Sequence, residues 1–350
     1  MMDIRLPLVL LSAALLSAPL NAAVTNRLAG PDDTPRALWL ERYTEARQGP
    51  EETDRQVQSF KVGADAALDL SNISGDVQVT GDGGNEIRVE ATKRVRHRDA
   101  NEARRLLQQL RVEMVQVGGR IEVRTLYPRR NENNGERNIS ARVDYIVTVP
   151  LAAAVAVKTI SGNAGVAKVN GEVRAETVSG DVTVTGTPNV ALARTVSGDV
   201  VARDIGGATT LSLSTVSGSV TASGLKARSL ECGAVSGNIE LSGVQVERLL
   251  AKSVSGDIQF GAVLAKGGRY EFGAHSGNIR VILGSDTGFE LDASTFSGSV
   301  RSDFPVTLRS QTGSSQDRKD ANRTIRGAYG DAGAILSIKT FSGTVVISRK

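Results

Sequence analysis

A Ser-Gly pair recurs at Ser74-Gly75, Ser161-Gly162, Ser179-Gly180, Ser197-Gly198, Ser217-Gly218, Ser236-Gly237, Ser255-Gly256, Ser276-Gly277, Ser297-Gly298 and Ser342-Gly343. From Ser161 to Ser297 the spacings are 18, 18, 20, 19, 19, 21 and 21 residues. Repeated serines invite a nucleophile, but a nucleophile is one activated residue with a base beside it. Here ten serines share 2 histidines. His97 lies in the basic run Lys93 to Arg98, and His275 fills the slot that is Val254 one unit earlier and Phe296 one unit later. His275 is therefore expected to pack, and a hydrolytic triad is not supported.

The residue after each pair reads Asp76, Asn163, Asp181, Asp199, Ser219, Asn238, Asp257, Asn278 and Ser299, with Thr344 last in the chain. Stacked in register, a column of carboxylates would offer hard-cation ligands. Only Asp181 and Asp199 are consecutive acids, and the Gly-Gly-x-Gly-x-Asp pattern of calcium-binding β-rolls is absent. The expected role is to bond the backbone of turns, which Asp, Asn and Ser do well. No metal and no cofactor are expected: two His and one Cys fall short of a metal cluster, and phosphate loops and dinucleotide fingerprints are missing.

Glycosidase chemistry needs two placed carboxylates, and sugar sites favour aromatic platforms. Asp257 with Glu271, or Asp286 with Glu290, are the pairs to consider, with only Tyr270 and Phe289 nearby. Solvated charges are the better reading. Cys232, the only cysteine, has no internal partner and sits in a repeat strand as a small buried hydrophobe. Net charge is +4, with 14 Lys and Arg against 8 Asp and Glu between Glu86 and Arg142. That bias could meet an anionic surface, but the interleaved acids make an ordinary solvated face the better reading. Nucleic-acid binding would need basic and aromatic residues interleaved on one face, and that pattern is missing.

The elements that must carry these residues follow from the repeat. Each Ser-Gly is flanked by short apolar-alternating runs, as in Leu192 to Val196 before it and Val200 to Ala202 after it, with a return such as Ile205-Gly206-Gly207. Glycine suits the corners because it takes positive φ without a Cβ clash. A single unit cannot bury its apolar face alone, so units must stack. The expected fold is all-β, a β-solenoid (parallel β-helix-like) of stacked 18–21-residue rungs. Seven to ten rungs make a rod roughly 35 to 50 Å long.

Arg5, the apolar run Leu6 to Leu16 and the small residues Ala18, Ala22 and Ala23 read as a signal peptide over residues 1–23. An uncleaved anchor is the rival, disfavoured by the short run, and no later segment is long and apolar enough to span a bilayer. The localisation expected is export, to the periplasm or cell surface of a bacterium. Residues 24–58 form a polar leader, with a short helix after Thr34-Pro35 carrying Leu38, Trp39, Leu40 and Tyr43. Residues 59–150 are the N-terminal part of the repeat domain. There, Val77 and Val79, the turn Gly81 to Gly84, and Ile87, Val89 and Ala91 read as a β-hairpin. Asp99, with Glu102 three residues on, caps a short helix near 99–111 carrying Ala103, Leu106, Leu107 and Leu110, the candidate cap of the rod's open end. Strands resume at Val112 to Val117, Ile121 to Thr125 and Ala141 to Val149, with a polar loop from Pro128 to Asn138. Residues 151–350 are the solenoid array, and the polar loop 311–323 precedes a final rung at Ser342.

The recurring Thr-Val-Ser-Gly-Asp-Val of residues 177–182 and 195–200 resembles the bacterial β-strand-repeat putative adhesin family, a domain of unknown function. Ser74-Gly75-Asp76-Val77, Gly84-Asn85-Glu86-Ile87-Arg88-Val89 and Tyr145-Ile146-Val147-Thr148-Val149-Pro150 occur in the order that family shows. The resemblance covers about residues 60 to 350. It implies an extracytoplasmic β-solenoid without catalytic residues to carry over, and some relatives are linked to envelope-stress signalling. The leading expectation is a non-enzymatic envelope protein serving adhesion or scaffolding. A periplasmic stress sensor acting through a protein partner stands second, and a carbohydrate-processing enzyme third. Envelope glycan, an anionic surface or a protein are the candidate partners.

Overall fold

In the computed structural model, residues 50–63, 65–127, 140–284, 288–308 and 323–350 are described. The chain divides into the units Met1–Arg47 and Gln48–Lys350, and every described residue belongs to the second. The expected signal peptide, the helix after Thr34-Pro35 and the loop 128–138 lie outside the described residues, as does nearly all of the loop 311–323.

The N-terminal elements are β1 (Glu51–Lys61), β2 (Ala67–Ser71), β3 (Val77–Asp82), β4 (Glu86–Arg96), α1 (Ala100–Gln109), β5 (Arg111–Val117), β6 (Arg120–Leu126) and β7 (Ser140–Pro150). The array then alternates strands before and after each corner: β8 (Ala154–Ser161), β9 (Ala164–Ala167), β10 (Val173–Ser179), β11 (Val182–Thr185), β12 (Val190–Arg194), β13 (Val200–Arg203), β14 (Gly206–Ser217) and β15 (Val220–Ser223). It continues as β16 (Lys226–Ser236), β17 (Ile239–Ser242), β18 (Gln245–Ser255), β19 (Ile258–Ala262), β20 (Arg269–Ser276) and β21 (Ile279–Leu283). The C-terminal elements are β22 (Phe289–Ser297), β23 (Val300–Ser302), β24 (Thr307–Leu308), β25 (Thr324–Tyr329), β26 (Ala334–Ser342) and β27 (Val345–Arg349).

Among the described residues the fold is all-β with one short helix, arranged as two long sheets. Strands before the corners form one sheet of 14 and strands after them form another of 13. Within the array every neighbour is parallel, so Val182 lies between Ala164 and Val200, and Ala175 between Val157 and Ala193. Alternation turns one residue in two inward. Leu211 and Leu213 of β14 and Val220 and Ala222 of β15 are fully buried. Cys232 occupies the column between Leu213 and Ala251 and is 3% exposed. Burial pushes its thiol well above the ordinary range.

The ends depart from the simple stack. At the N-terminal end, β2 and β3 join the array in parallel beside β8 and β9, and β6 and β7 add a further parallel layer. Antiparallel strands finish both sheets: β5 on β6, and β4 then β1 on β7. The expected β3–β4 hairpin does not form, because β7 lies between those two strands. The leader also ends earlier than residue 58, since Glu51–Lys61 is a strand paired along its full length with β4. Charge accounts for that pairing: Arg96 meets Glu51 and Lys93 meets Asp54, each at 2.6 Å. Helix α1 starts at Asp99, whose carboxylate accepts from the Asn101 N–H at 2.8 Å. Glu102 pairs with Arg105 instead of returning to the cap. The helix buries Ala103 and Leu106 and packs against β1 and β4.

At the C-terminal end, strand order in space departs from order in sequence. β26 and β27 insert between the β20/β21 layer and the β22/β23 layer. The expected final rung at Ser342 is therefore internal, and the Ser297 layer lies outside it. β25, antiparallel on β22, and β24 on β25 complete that sheet. Sheets of 13 and 14 strands at about 4.8 Å each extend roughly 60 Å, beyond the expected rod length.

Candidate functional site

The corners are where sequence placed the recurring chemistry, and all ten Ser-Gly pairs fall on one line along the sheets. At nine of the ten, the glycine N–H donates to the serine carbonyl of the next layer, as Gly162 to Ser179 (2.8 Å), Gly180 to Ser197 (2.8 Å) and Gly198 to Ser217 (2.9 Å). Gly180 and Gly256 have φ of 136° and 154°, a region that side chains rarely enter. A Cβ on any of these glycines would also overlap the carbonyl oxygen of the preceding layer: Gly75 for Gly162, Gly256 for Gly277, Gly277 for Gly343, and Gly343 for Gly298. Glycine here lets two backbones approach.

The residue after each glycine bonds the neighbouring layer. Its side-chain oxygen accepts from the N–H at the same position one layer on: Asp76 from Asn163, Asn163 from Asp181, Asp181 from Asp199, and Asp199 from Ser219, all at 2.7 to 2.8 Å. The run skips the step from Ser219 to Asn238 and resumes with Asn238, Asp257 and Asn278 accepting from Asp257, Asn278 and Thr344. Each bond needs one acceptor oxygen, which Asn and Asp supply alike. Asp199→Ala is accordingly expected to cost about 0.5–1.5 kcal/mol in urea unfolding, while Asp199→Asn keeps most of that stability.

Sequence reasoning missed a second ladder behind the corners. The residue two places before each serine is buried, and at five corners it is a threonine whose hydroxyl donates to a glycine carbonyl of the adjacent layer: Thr177 to Gly162, Thr195 to Gly180, Thr215 to Gly198, Thr340 to Gly277 and Thr295 to Gly343, at 2.9 to 3.2 Å. Ala234 and Ala274 interrupt the ladder, and the Thr159 hydroxyl has no partner among the described residues. The Thr-x-Ser-Gly spacing was the available signal. In the first layer Asn72 takes that place. Its amide donates to the carbonyls of Ser74, Gly75 and Val143, and its oxygen accepts from Ile73 N–H and the Thr125 hydroxyl. Thr125 lies 2.6 Å from the Tyr145 hydroxyl, and the Tyr127 hydroxyl donates to Ser74 O at 2.8 Å. Burial is the main cause pushing the Tyr127 phenol up to about 12.

Among the described residues, the histidines and the pair Asp257 with Glu271 do not come together. His275 is exposed, its ring stacked on Phe341 with centroids 5.0 Å apart, and His97 accepts from the Asp99 N–H. The slot expected to pack His275 inside instead faces outward. Asp257 is spent in the corner ladder, whereas Glu271 lies five residues before its own corner, about 17 Å away along the strand. Asp286 lies outside the described residues. Among the described residues no group of three or more His, Cys, Asp or Glu is placed to hold a metal.

Among the described residues, seven bases of the basic segment (Lys93, Arg94, Arg96, Arg104, Arg105, Arg124 and Arg142) are ion-paired. Arg94 and Arg142 meet Asp144 at 3.0 and 3.6 Å, and Arg104 meets Glu52 at 3.0 Å. The Arg55–Glu90 hydrogen bond holds that carboxyl below its usual range. Much of the neutralising acid comes from residues 51–54, upstream of the segment whose charge looked unbalanced.

Two long, mainly parallel sheets joined at repeated glycine corners define a solenoid-like all-β repeat protein. The chain belongs to the Toastrack DUF4097 family, whose model matches residues 67–348. No curated protein matches it. Among solved structures it is similar to a "putative adhesin" from Parabacteroides distasonis (15% identity, 84% of this chain and 97% of that one, TM-score 0.45). A "putative lipid binding protein" from the same organism is also similar (15%, 85% and 97%, TM-score 0.46). So is a "putative adhesin" from Bacteroides fragilis (11%, 84% and 97%, TM-score 0.40).

Proposed function

We propose that this chain is an exported, non-enzymatic envelope protein whose long ladder surface serves adhesion or scaffolding in the periplasm or at the cell surface. The observation that carries this reading is the use made of the recurring polar residues. The Asx and Thr side chains at the corners are engaged in holding adjacent layers together, leaving the outer faces as extended columns of side chains. Such a surface suits a long partner more than a small substrate. The N-terminal signal-peptide pattern supports export. Candidate partners are an envelope glycan, an anionic surface or a protein. The stress-sensor alternative draws less support, because Lys93, Arg94 and Arg96 of the basic segment meant to engage a partner are paired with acids of β1 and β7.

Fractionation of tagged protein, followed by binding assays on whole cells, isolated wall and envelope extracts, tests the reading. Recovery in an extracytoplasmic fraction with saturable binding to one of these is expected. Cytoplasmic retention, or no binding to any of them, would sink it.

A further inference from the structure

The residue immediately before each Ser-Gly pair is apolar in nine of the ten corners, with His275 the exception, and it points outward. The residue before it, such as Thr177, is buried, as is the first strand residue beyond the corner, such as Val182, yet Val178 is 45% exposed. The same holds from Ile73 (43%) through Val216 (37%) and Val254 (48%) to Phe296 (66%). One end of this strip is aromatic: His275, Phe341 and Phe296 stack in order with centroids 5.0 and 4.8 Å apart and planes within 9°. Ten corners at about 4.8 Å make the strip roughly 43 Å long. At these exposures it offers on the order of 700 Å² of mainly apolar surface, larger than the patches of ordinary monomers and close to the roughly 800 Å² per partner of a standard interface.

Charge on the two flanks is opposite in sign. On the corner side run Asp76, Asp181, Asp199 and Asp257 among Asn and Ser. On the strand side, two residues before the strip, Lys158 and Glu176 pair with each other at 3.6 Å, and the net positive charge of that flank comes from Arg194, Lys252 and Lys339. A copy rotated about an axis parallel to the sheets' long direction would set the acidic flank of each chain against the basic flank of the other. An antiparallel copy would set like against like. In the parallel arrangement each strip residue meets its own counterpart, so Asp199 faces the second copy's Arg194 and Asp257 its Lys252.

We infer that this strip is the contact surface for a second copy of the chain, two molecules lying side by side and parallel, strip to strip. The inference does not depend on the adhesion or scaffolding reading. Self-complementary surfaces close into two-fold dimers.

Sedimentation equilibrium of the purified full chain from 1 to 100 µM is the test. A dimer is expected, weakened by raising salt because the flanking charges are exposed. Val216→Lys with Val235→Lys should weaken the dimer at least tenfold while circular dichroism and the unfolding midpoint stay as in the parent; where that double variant fails to fold, the shape-matched Val216→Thr and Val235→Thr pair serves. Val178→Cys, away from the strip's centre, should be joined to itself by a short bismaleimide, because a parallel copy places it opposite its own equivalent. Cys232 is buried and silent. A chain that stays monomeric at 100 µM overturns the inference, as does a dimer insensitive to both double variants. A mixture of Val178→Cys and His275→Cys chains that links only to each other overturns the parallel arrangement. A monomer that binds anionic vesicles through the strip would assign the surface to a membrane instead.

Discussion

A chain ending at Gly333 is expected to lose the strands β22 to β25. In a repeat array, removing the last repeat normally exposes one neighbour and leaves the others intact. Here the last repeat is internal. β26 is hydrogen-bonded to β20 on one side and β22 on the other, and β27 joins β21 to β23. Deleting Ala334–Lys350 removes the buried Leu336, Ile338, Val345 and Ile347 together. At about 1.5–3 kcal/mol for each such side chain, the loss approaches the whole stability of a typical domain. It also removes Arg349 from over the Phe304 and Tyr329 rings, at 5.1 and 5.9 Å. Limited proteolysis read by mass spectrometry should show cleavage spreading through residues 288–308 and 323–330 while the preceding layers stay protected. Full protection of 288–308 in the truncated chain would mean that β22 and β23 can dock directly on β20 and β21, and would refute the prediction.

Gly218→Ala is expected to destabilise by about 3–5 kcal/mol, at the severe end for one methyl group. Gly218 has φ 141°, and an added Cβ would overlap the Gly198 carbonyl oxygen. That carbonyl cannot retreat easily, since it accepts the Thr215 hydroxyl at 2.9 Å. The next glycine presses on Gly218 in the same way, so a shift would pass along the stack. Gly206→Ala is the internal comparison: an added Cβ there meets nothing within 4 Å and the backbone is not left-handed. It should be neutral or slightly stabilising, by up to about 1 kcal/mol. Urea unfolding of the two variants side by side measures the difference, and equal midpoints would show that the corner tolerates a side chain.

How much was legible depended on whether a feature is local. Helix α1 was readable because Asp99 as cap and Leu106 as a buried face are signals within one turn. The β3–β4 hairpin was misread because Val77, Val79, Ile87 and Val89 alternate correctly for any sheet neighbour, and nothing near Gly81–Gly84 reveals that β7 separates them. The basic excess looked available because the acids that meet it, Glu51, Glu52 and Asp54, lie outside the window in which the bases cluster. The outward strip was overlooked for a related reason. A valine or phenylalanine before Ser-Gly is as hydrophobic as one in the core, and only the direction of its Cα–Cβ bond, set by the strand's pleat, puts Val178 outside and Thr177 inside.

The amino-acid sequence alone determined that this protein is built from stacked β-units with glycine corners, because ten copies of one local pattern admit one local geometry. It could not determine the order of the stack. Gly343 rests on Gly277 and Gly298 rests on Gly343, yet the Ser297 and Ser342 corners present the same carbonyl, the same buried Thr hydroxyl and the same glycine to a neighbour. Where interfaces are equivalent, local preference cannot choose among them. The choice fell to long-range packing, with β22–β25 and Phe289, Phe304 and Tyr329 clustered at the outer end and the last two strands filling the place left between.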